Sequence, residues 1–92
     1  MHVVQVKVTI LDPEPAQKEL RERIVPMVSQ IPGFVAGYWL EPVDGKGESL
    51  VVFESEDGAN MMVQGIKAQQ ESGQQLPVAF DSVSTRGVFV SA

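Results

Sequence analysis

Few side chains of this sequence carry reactive groups, and their types limit the chemistry that the chain can support. The 92 residues include no cysteine, and His2 is the single histidine. Thiolate nucleophiles, disulfides and cysteine-based metal or iron–sulfur sites are therefore excluded. One histidine cannot form a metal site alone, so we expect His2 to be an exposed residue and the protein to bind no metal.

Serine hydrolysis and phosphate binding also lack their usual sequence context. Ser82 has no Gly-x-Ser-x-Gly context and no histidine to act as its base. Gly45 and Gly47 form a Gly-x-Gly turn, but it joins two predicted strands and no helix follows it. A phosphate-binding loop requires that helix, because its N-terminus attracts the anion.

The remaining candidates suit the binding of a flat apolar ligand in a small-molecule cavity. Tyr38 and Trp39 lie on opposite faces of one predicted strand, so at most one of them faces a given cavity. Asn60 lies in the first turns of a predicted helix, where it either hydrogen-bonds a ligand carbonyl or is an ordinary exposed asparagine. The candidates for the apolar wall of such a cavity are Tyr38, Trp39, Phe53, Met61 and Met62.

Two basic side chains are candidates for attracting an anionic group. Lys7 and Arg86 approach each other if the first and last strands pair, although ion pairs with Asp81 or Glu54 explain them equally well. We assign no catalytic residue. The predicted substrate-binding residues are Tyr38, Trp39, Phe53, Asn60, Met62 and Arg86.

The charge balance argues against nucleic acid and membrane partners. The chain has 7 Lys and Arg against 12 Asp and Glu, and the basic residues are scattered rather than gathered into a stripe. No cationic leader with a cleavage site is present, and no apolar run approaches the ~18 residues of a membrane helix. Together with the lack of cysteine, this pattern predicts a cytoplasmic protein.

The elements that must position these residues follow the order βαββαβ. Pro26 interrupts the first helix and should kink or shorten its last turns, because it cannot donate a hydrogen bond to the carbonyl of Glu22. This order within about 90 residues predicts a single ferredoxin-like α+β domain over residues 1–92, with a four-stranded antiparallel sheet and both helices on one face. The predicted strands are 2–11, 34–40, 49–54 and 79–90, and the predicted helices begin after Asp12 and Ser55 and end at Pro32–Gly33 and near Gln70.

The second and third strands are apolar on both faces, although the helices cover only one face of the sheet. Exposed apolar surface of more than a few hundred square ångströms usually marks an interface. A symmetric homodimer in which the two sheets face each other as a barrel would cover it. The polar residues that would then either face solvent or line the lumen are Gln5, Lys7, Thr9, Ser82, Ser84 and Arg86.

Two segments of the sequence resemble the antibiotic-biosynthesis-monooxygenase-like domains of the dimeric α+β barrel superfamily. They are Pro32–Leu40 and Leu50–Asp57, and the second leads into a helix. The resemblance covers nearly the whole chain. It implies a dimeric α+β barrel that acts as a cofactor-independent monooxygenase on a small aromatic compound of phenolic or quinone type. In such enzymes the electron-rich substrate itself reduces oxygen inside a dry pocket.

The chain departs from the resemblance at positions that bear on cofactors. Haem-degrading members use a histidine on the second helix as iron ligand, and the segment from Ala59 to Gln70 contains none. Many relatives carry a tryptophan just before the Glu-Ser that opens this helix, where this chain has Phe53. We therefore expect no cofactor. The alternatives are a non-catalytic small-molecule-binding or stress-related dimeric domain, and a dimerisation module without a ligand.

Overall fold

The computed structural model describes residues 1–92 and contains the predicted order of strands and helices. The third strand begins three residues earlier than predicted, and the fourth ends at Gly87 rather than at residue 90. The elements are β1 (His2–Ile10), α1 (Pro13–Glu19), a π-helical turn (Leu20–Ile24), α2 (Val25–Ser29), β2 (Phe34–Trp39), β3 (Lys46–Phe53), α3 (Glu56–Glu71) and β4 (Val78–Gly87).

The four strands form one antiparallel sheet in the order β2-β3-β1-β4, which confirms the predicted ferredoxin-like fold. Alternation along β1 places Val4 and Val6 in the core and Gln5 and Lys7 on the opposite face. We call the face of Val4 and Val6, which the helices cover, the inner face. We call the face of Gln5 and Lys7 the open face. Single extra residues interrupt the register at two points, Val35 in β2 and Asp81 in β4.

Pro26 is accommodated by a change in helical hydrogen bonding. The N–H of Val25 donates to the carbonyl of Leu20, five residues earlier, and the chain stays helical through Pro26 as far as Ser29. The predicted disturbance thus takes the form of one wider turn before the proline. No residue of α1 or of the π-helical turn is buried, so the first half of this helix packs loosely.

The core lies between the inner face and the two helices. The rings of Phe34 and Phe53 meet edge to face at 6.2 Å, which fixes the start of β2 against the end of β3. Both helices contribute to the same cluster, so they lie on one side of the sheet. The buried apolar residues are Val4, Val6, Val28, Val51, Phe53, Ala59, Met62 and Ile66.

The junction between α2 and β2 depends on glycine. Gly33 has a φ of 87°, a conformation that other residues rarely adopt, and its carbonyl accepts a hydrogen bond of 2.7 Å from the N–H of Glu54. This bond ties the turn to the start of α3. The sequence Pro32-Gly33 therefore ends one element and fixes its position beside another.

The chain beyond β4 is not part of the sheet. Val88 donates a backbone hydrogen bond of 2.8 Å to the carbonyl of Met1, and Phe89 is 100% exposed. The prediction that the last strand continues to residue 90 is therefore wrong, because the strand ends at Gly87. No helix combines the length and the apolar composition that crossing a membrane would require.

Candidate functional site

The candidate site lies on the inner face at the end of β2, where the indole of Trp39 lies across Gly37. A Cβ placed on Gly37 would be 2.6 Å from Cζ3 and 2.7 Å from Cη2 of the indole, and 3.5 Å from the ring of Phe34. The indole can lie this close to the backbone only because Gly37 has no side chain. Glycine within a strand often marks such a close approach.

Trp39 is the half-buried end of a row of aromatic rings. Phe34 lies beside it over Gly37, and Phe34 in turn contacts Phe53, which is fully buried. Trp39 packs against the core without being enclosed by it. Part of its ring is therefore accessible to a planar partner.

Ser49 lies next to Trp39 on the inner face and was not among the predicted site residues. The antiparallel register pairs Ser49 with Trp39 on one side and with Val6 on the other. The signal was present in the sequence, because Ser49 alternates with Val51 and Phe53 and so shares their face. The prediction used this serine only to start a strand.

Three of the six predicted binding residues lie on the inner side. Phe53 and Met62 belong to the closed core, where both side chains contact other protein groups rather than an open cavity. Trp39 is the one of the three that remains partly exposed.

Asn60 is on a different flank of α3. It is exposed and lies one turn after Glu56, whose carboxylate is 4.0 Å from Nε2 of His2. The flank of α3 that approaches the end of the first helix instead carries Gly58, where an added Cβ would lie 2.8 Å from the carbonyl oxygen of Pro32. The structure therefore does not bring Asn60 to the ring of Trp39.

Tyr38 and Arg86 lie on the open face, at opposite edges of the sheet. Tyr38 is 58% exposed on β2, whereas Arg86 pairs with Val3 on the outer side of β1. Three strand spacings separate the two edges, a distance of about 14 Å. These two residues do not share a site within one subunit.

Two grooves cross the open face. The first has a volume of about 470 Å³ and includes Gln5, Leu50 and Arg86 in its lining. The second has a volume of about 630 Å³ and includes Lys7 and Lys46. Both grooves are open to solvent, so neither is the closed apolar cavity that the sequence interpretation required.

Hydrogen bonds link several of the polar side chains on this face to one another. Gln5 Nε2 donates to Glu48 Oε1 at 2.5 Å. Thr9 Oγ1 donates to Asp81 Oδ2 at 2.7 Å and accepts a hydrogen bond of 2.7 Å from Nζ of Lys46. These bonds link polar groups of β1, β3 and β4.

The two predicted cations are not brought together. Lys7 pairs with Ser82 and Arg86 with Val3, so four residues, or about 13 Å, separate them along the strands. The acidic partner of Lys46 is Asp81, at 3.7 Å, and neither Lys7 nor Arg86 forms an ion pair. No group of three or more His, Cys, Asp or Glu side chains is arranged to hold a metal ion.

No family model matches the chain, and no curated protein is significantly similar to it in sequence. Solved structures do match. A mutant of SnoaB, a cofactor-independent oxygenase from Streptomyces nogalater, aligns with a TM-score of 0.67 at 15% identity, covering 98% of this chain and 95% of that one. The haem degrader MhuD from Mycobacterium tuberculosis, with two haems bound in its active site, aligns with a TM-score of 0.56 at 22% identity, covering 98% of each chain.

A third solved structure is similar over the same length. It is a monooxygenase from the gene ActVA-Orf6 of Streptomyces coelicolor in complex with nanaomycin D, with a TM-score of 0.55 at 17% identity, covering 99% of this chain and 92% of that one. At these identities the likeness is one of fold. The chain therefore shares the ferredoxin-like fold of these three proteins.

Proposed function

We propose that the protein binds a small aromatic compound, of phenolic or quinone type, against Trp39 and oxidises it with molecular oxygen without a cofactor. The observation that carries the proposal is the half-buried indole, which lies against Gly37 at the end of a row of aromatic rings. A planar ligand would stack on the accessible part of this ring. A cytoplasmic location fits the absence of cysteine.

The proposed reaction needs no reductant besides the substrate. A phenol that is converted to a quinone loses four electrons and two hydrogens from carbon and oxygen. One oxygen atom of O₂ becomes the new carbonyl, and the other leaves as water. The protein would contribute binding, orientation and the exclusion of bulk water.

We propose further that two subunits pair through their open faces. The half of this face nearest β2 is apolar, and its exposed members include Tyr38 and Leu40. Exposed apolar surface of this kind usually marks an interface. The face also contains polar side chains that already bond to each other, such as Gln5 with Glu48, and these two groups would remain paired if a second subunit covered them.

Size-exclusion chromatography with light scattering tests the dimer. A mass of twice 10.0 kDa at micromolar concentration is expected. A stable species of 10.0 kDa would contradict it.

Ligand binding and turnover are measured separately. Trp39 is the single tryptophan, so its fluorescence reports binding at the proposed site directly. We expect planar phenols to quench this fluorescence. We also expect the protein to consume oxygen in a stoichiometric relation to the quinone formed. The proposal is contradicted if no phenol or quinone quenches the fluorescence of Trp39 and none raises the melting temperature of the protein.

The second candidate is a binding domain without catalysis. The separation of the predicted polar residues from Trp39 favours this candidate. Asn60 lies on another flank of α3, and Arg86 lies on the open face. Neither is placed beside Trp39 to accept the proton of a phenol. Quenching of Trp39 without oxygen consumption would favour this candidate over the oxygenase.

A further inference from the structure

Ser49 is a polar residue on the apolar inner face, and it is 8% exposed. Its hydroxyl forms no hydrogen bond with another group of the protein. Its capacity to donate and accept hydrogen bonds is therefore free for a partner from outside the chain, either water or a ligand.

The hydroxyl is not sealed in the core. Every fully enclosed side-chain oxygen or nitrogen of the protein has a hydrogen-bond partner. Because the hydroxyl of Ser49 has none within the chain, it must open onto space that a solvent molecule can reach. The hydroxyl is therefore accessible from outside the chain.

The neighbours of Ser49 show from which side that opening is reached. Val6 and Val51 are buried and close two sides. The space beside Gly47 is filled by Val8, whose Cγ2 would be 3.0 Å from a Cβ on that glycine. Trp39, the fourth neighbour, is only half-buried, so of the four sides within the sheet the one next to the indole is the least covered.

We infer that Ser49 is a ligand-binding residue, whose hydroxyl hydrogen-bonds an oxygen atom on the edge of a planar ring that stacks on Trp39. This inference rests on the proposed function and adds its polar contact. Side chains directly opposite on antiparallel strands have Cβ atoms about 5 Å apart, so one ring can reach both groups. The ligand class is therefore an aromatic compound with a hydroxyl or carbonyl oxygen at the ring edge.

A serine hydroxyl suits both ends of the proposed reaction. It can accept a hydrogen bond from a phenol and donate one to the carbonyl of a quinone. The same side chain would therefore hold the oxygen of the substrate and the oxygen of the product. A charged residue at this position would favour one of the two.

The test compares two probes that differ in one group, 1-naphthol and 1-methylnaphthalene. Their affinities for the wild type and for Ser49→Ala are measured by equilibrium dialysis. A neutral hydrogen bond contributes about 1 kcal/mol, so the ratio of the two affinities should fall about fivefold in the variant. Ser72→Ala, which removes an exposed hydroxyl after α3, should leave the ratio unchanged.

Each outcome decides one point. If both probes bind the wild type and the ratio is the same in Ser49→Ala, the role of Ser49 is wrong while aromatic binding stands. If neither probe binds the wild type, the proposed function and the role of Ser49 both fail. A melting temperature of Ser49→Ala near that of the wild type ensures that the ratio is measured on folded protein.

Discussion

Replacing Gly37 with alanine should lift the indole of Trp39 away from the sheet. The added Cβ would lie 2.6 and 2.7 Å from two indole carbons. Carbon atoms in favourable contact are about 3.5 to 4.0 Å apart, so the ring must withdraw by about 1 Å. Overpacking of this kind costs about 1 to 3 kcal/mol. For a domain of this size, each kcal/mol lowers the melting temperature by about 4 to 8 °C.

The assay is thermal unfolding of G37A followed by the fluorescence of Trp39. Emission of the folded variant should shift to longer wavelength, because a displaced indole is more exposed to water. Gly65→Ala is the matched control, since no atom lies within 4 Å of a Cβ placed on this exposed helical glycine. It should raise the free energy of unfolding by about 0.5 to 1 kcal/mol.

A double-mutant cycle identifies the cause of the loss, with unfolding followed by circular dichroism because Trp39→Phe removes the single tryptophan. Trp39→Phe removes the ring carbons that the new Cβ would contact, so it should cost less stability in the G37A protein than in the wild type. The reasoning is refuted if G37A and G65A change stability alike and the emission of Trp39 stays unchanged. In that case the indole does not depend on the bare backbone of Gly37.

The remaining predictions concern the core, the open face and Ser49. Gly58→Ala should destabilise the protein by about 1 to 3 kcal/mol, measured by urea unfolding, because its Cβ would lie 2.8 Å from the ring of Phe53. Leu50→Glu should convert the dimer into a species of 10.0 kDa by light scattering, whereas Met61→Glu, exposed on α3, should not. Ser49→Ala should unfold at a temperature no lower than the wild type, because it removes a hydroxyl that has no partner in the chain.

The architecture could be predicted because several local signals agree. Alternation in β1 gives the inner and open faces, and Pro32-Gly33 marks the end of a helix. The boundaries of β3 and β4 were less well defined, since β3 is extended back to Lys46 by pairing with the distant strand β1. Pairing between distant segments decides where a strand begins and ends.

The arrangement of the site was harder to predict than the fold. The six predicted residues were chosen for their chemical type, and the structure distributes them over both faces of the sheet and over one flank of α3. Trp39 stayed in a plausible site because its ring packs against Gly37 at the margin of the core and is only half-buried. Ser49 was overlooked because a serine at the start of a strand is common, and only the register shows that it lies beside Trp39.

The π-helical turn and the extra residues Val35 and Asp81 affect how this chain is compared with its relatives. Each adds one residue to a regular element. If a relative lacks that residue and no gap is placed there, the alignment is correct up to the extra residue and shifted by one position beyond it. In a strand, an error of one residue assigns every following side chain to the opposite face. In a helix, it turns the assignment by about 100°. Structural relatives should therefore be aligned with gaps at residues 20–24, 35 and 81 before any functional residue is transferred between them.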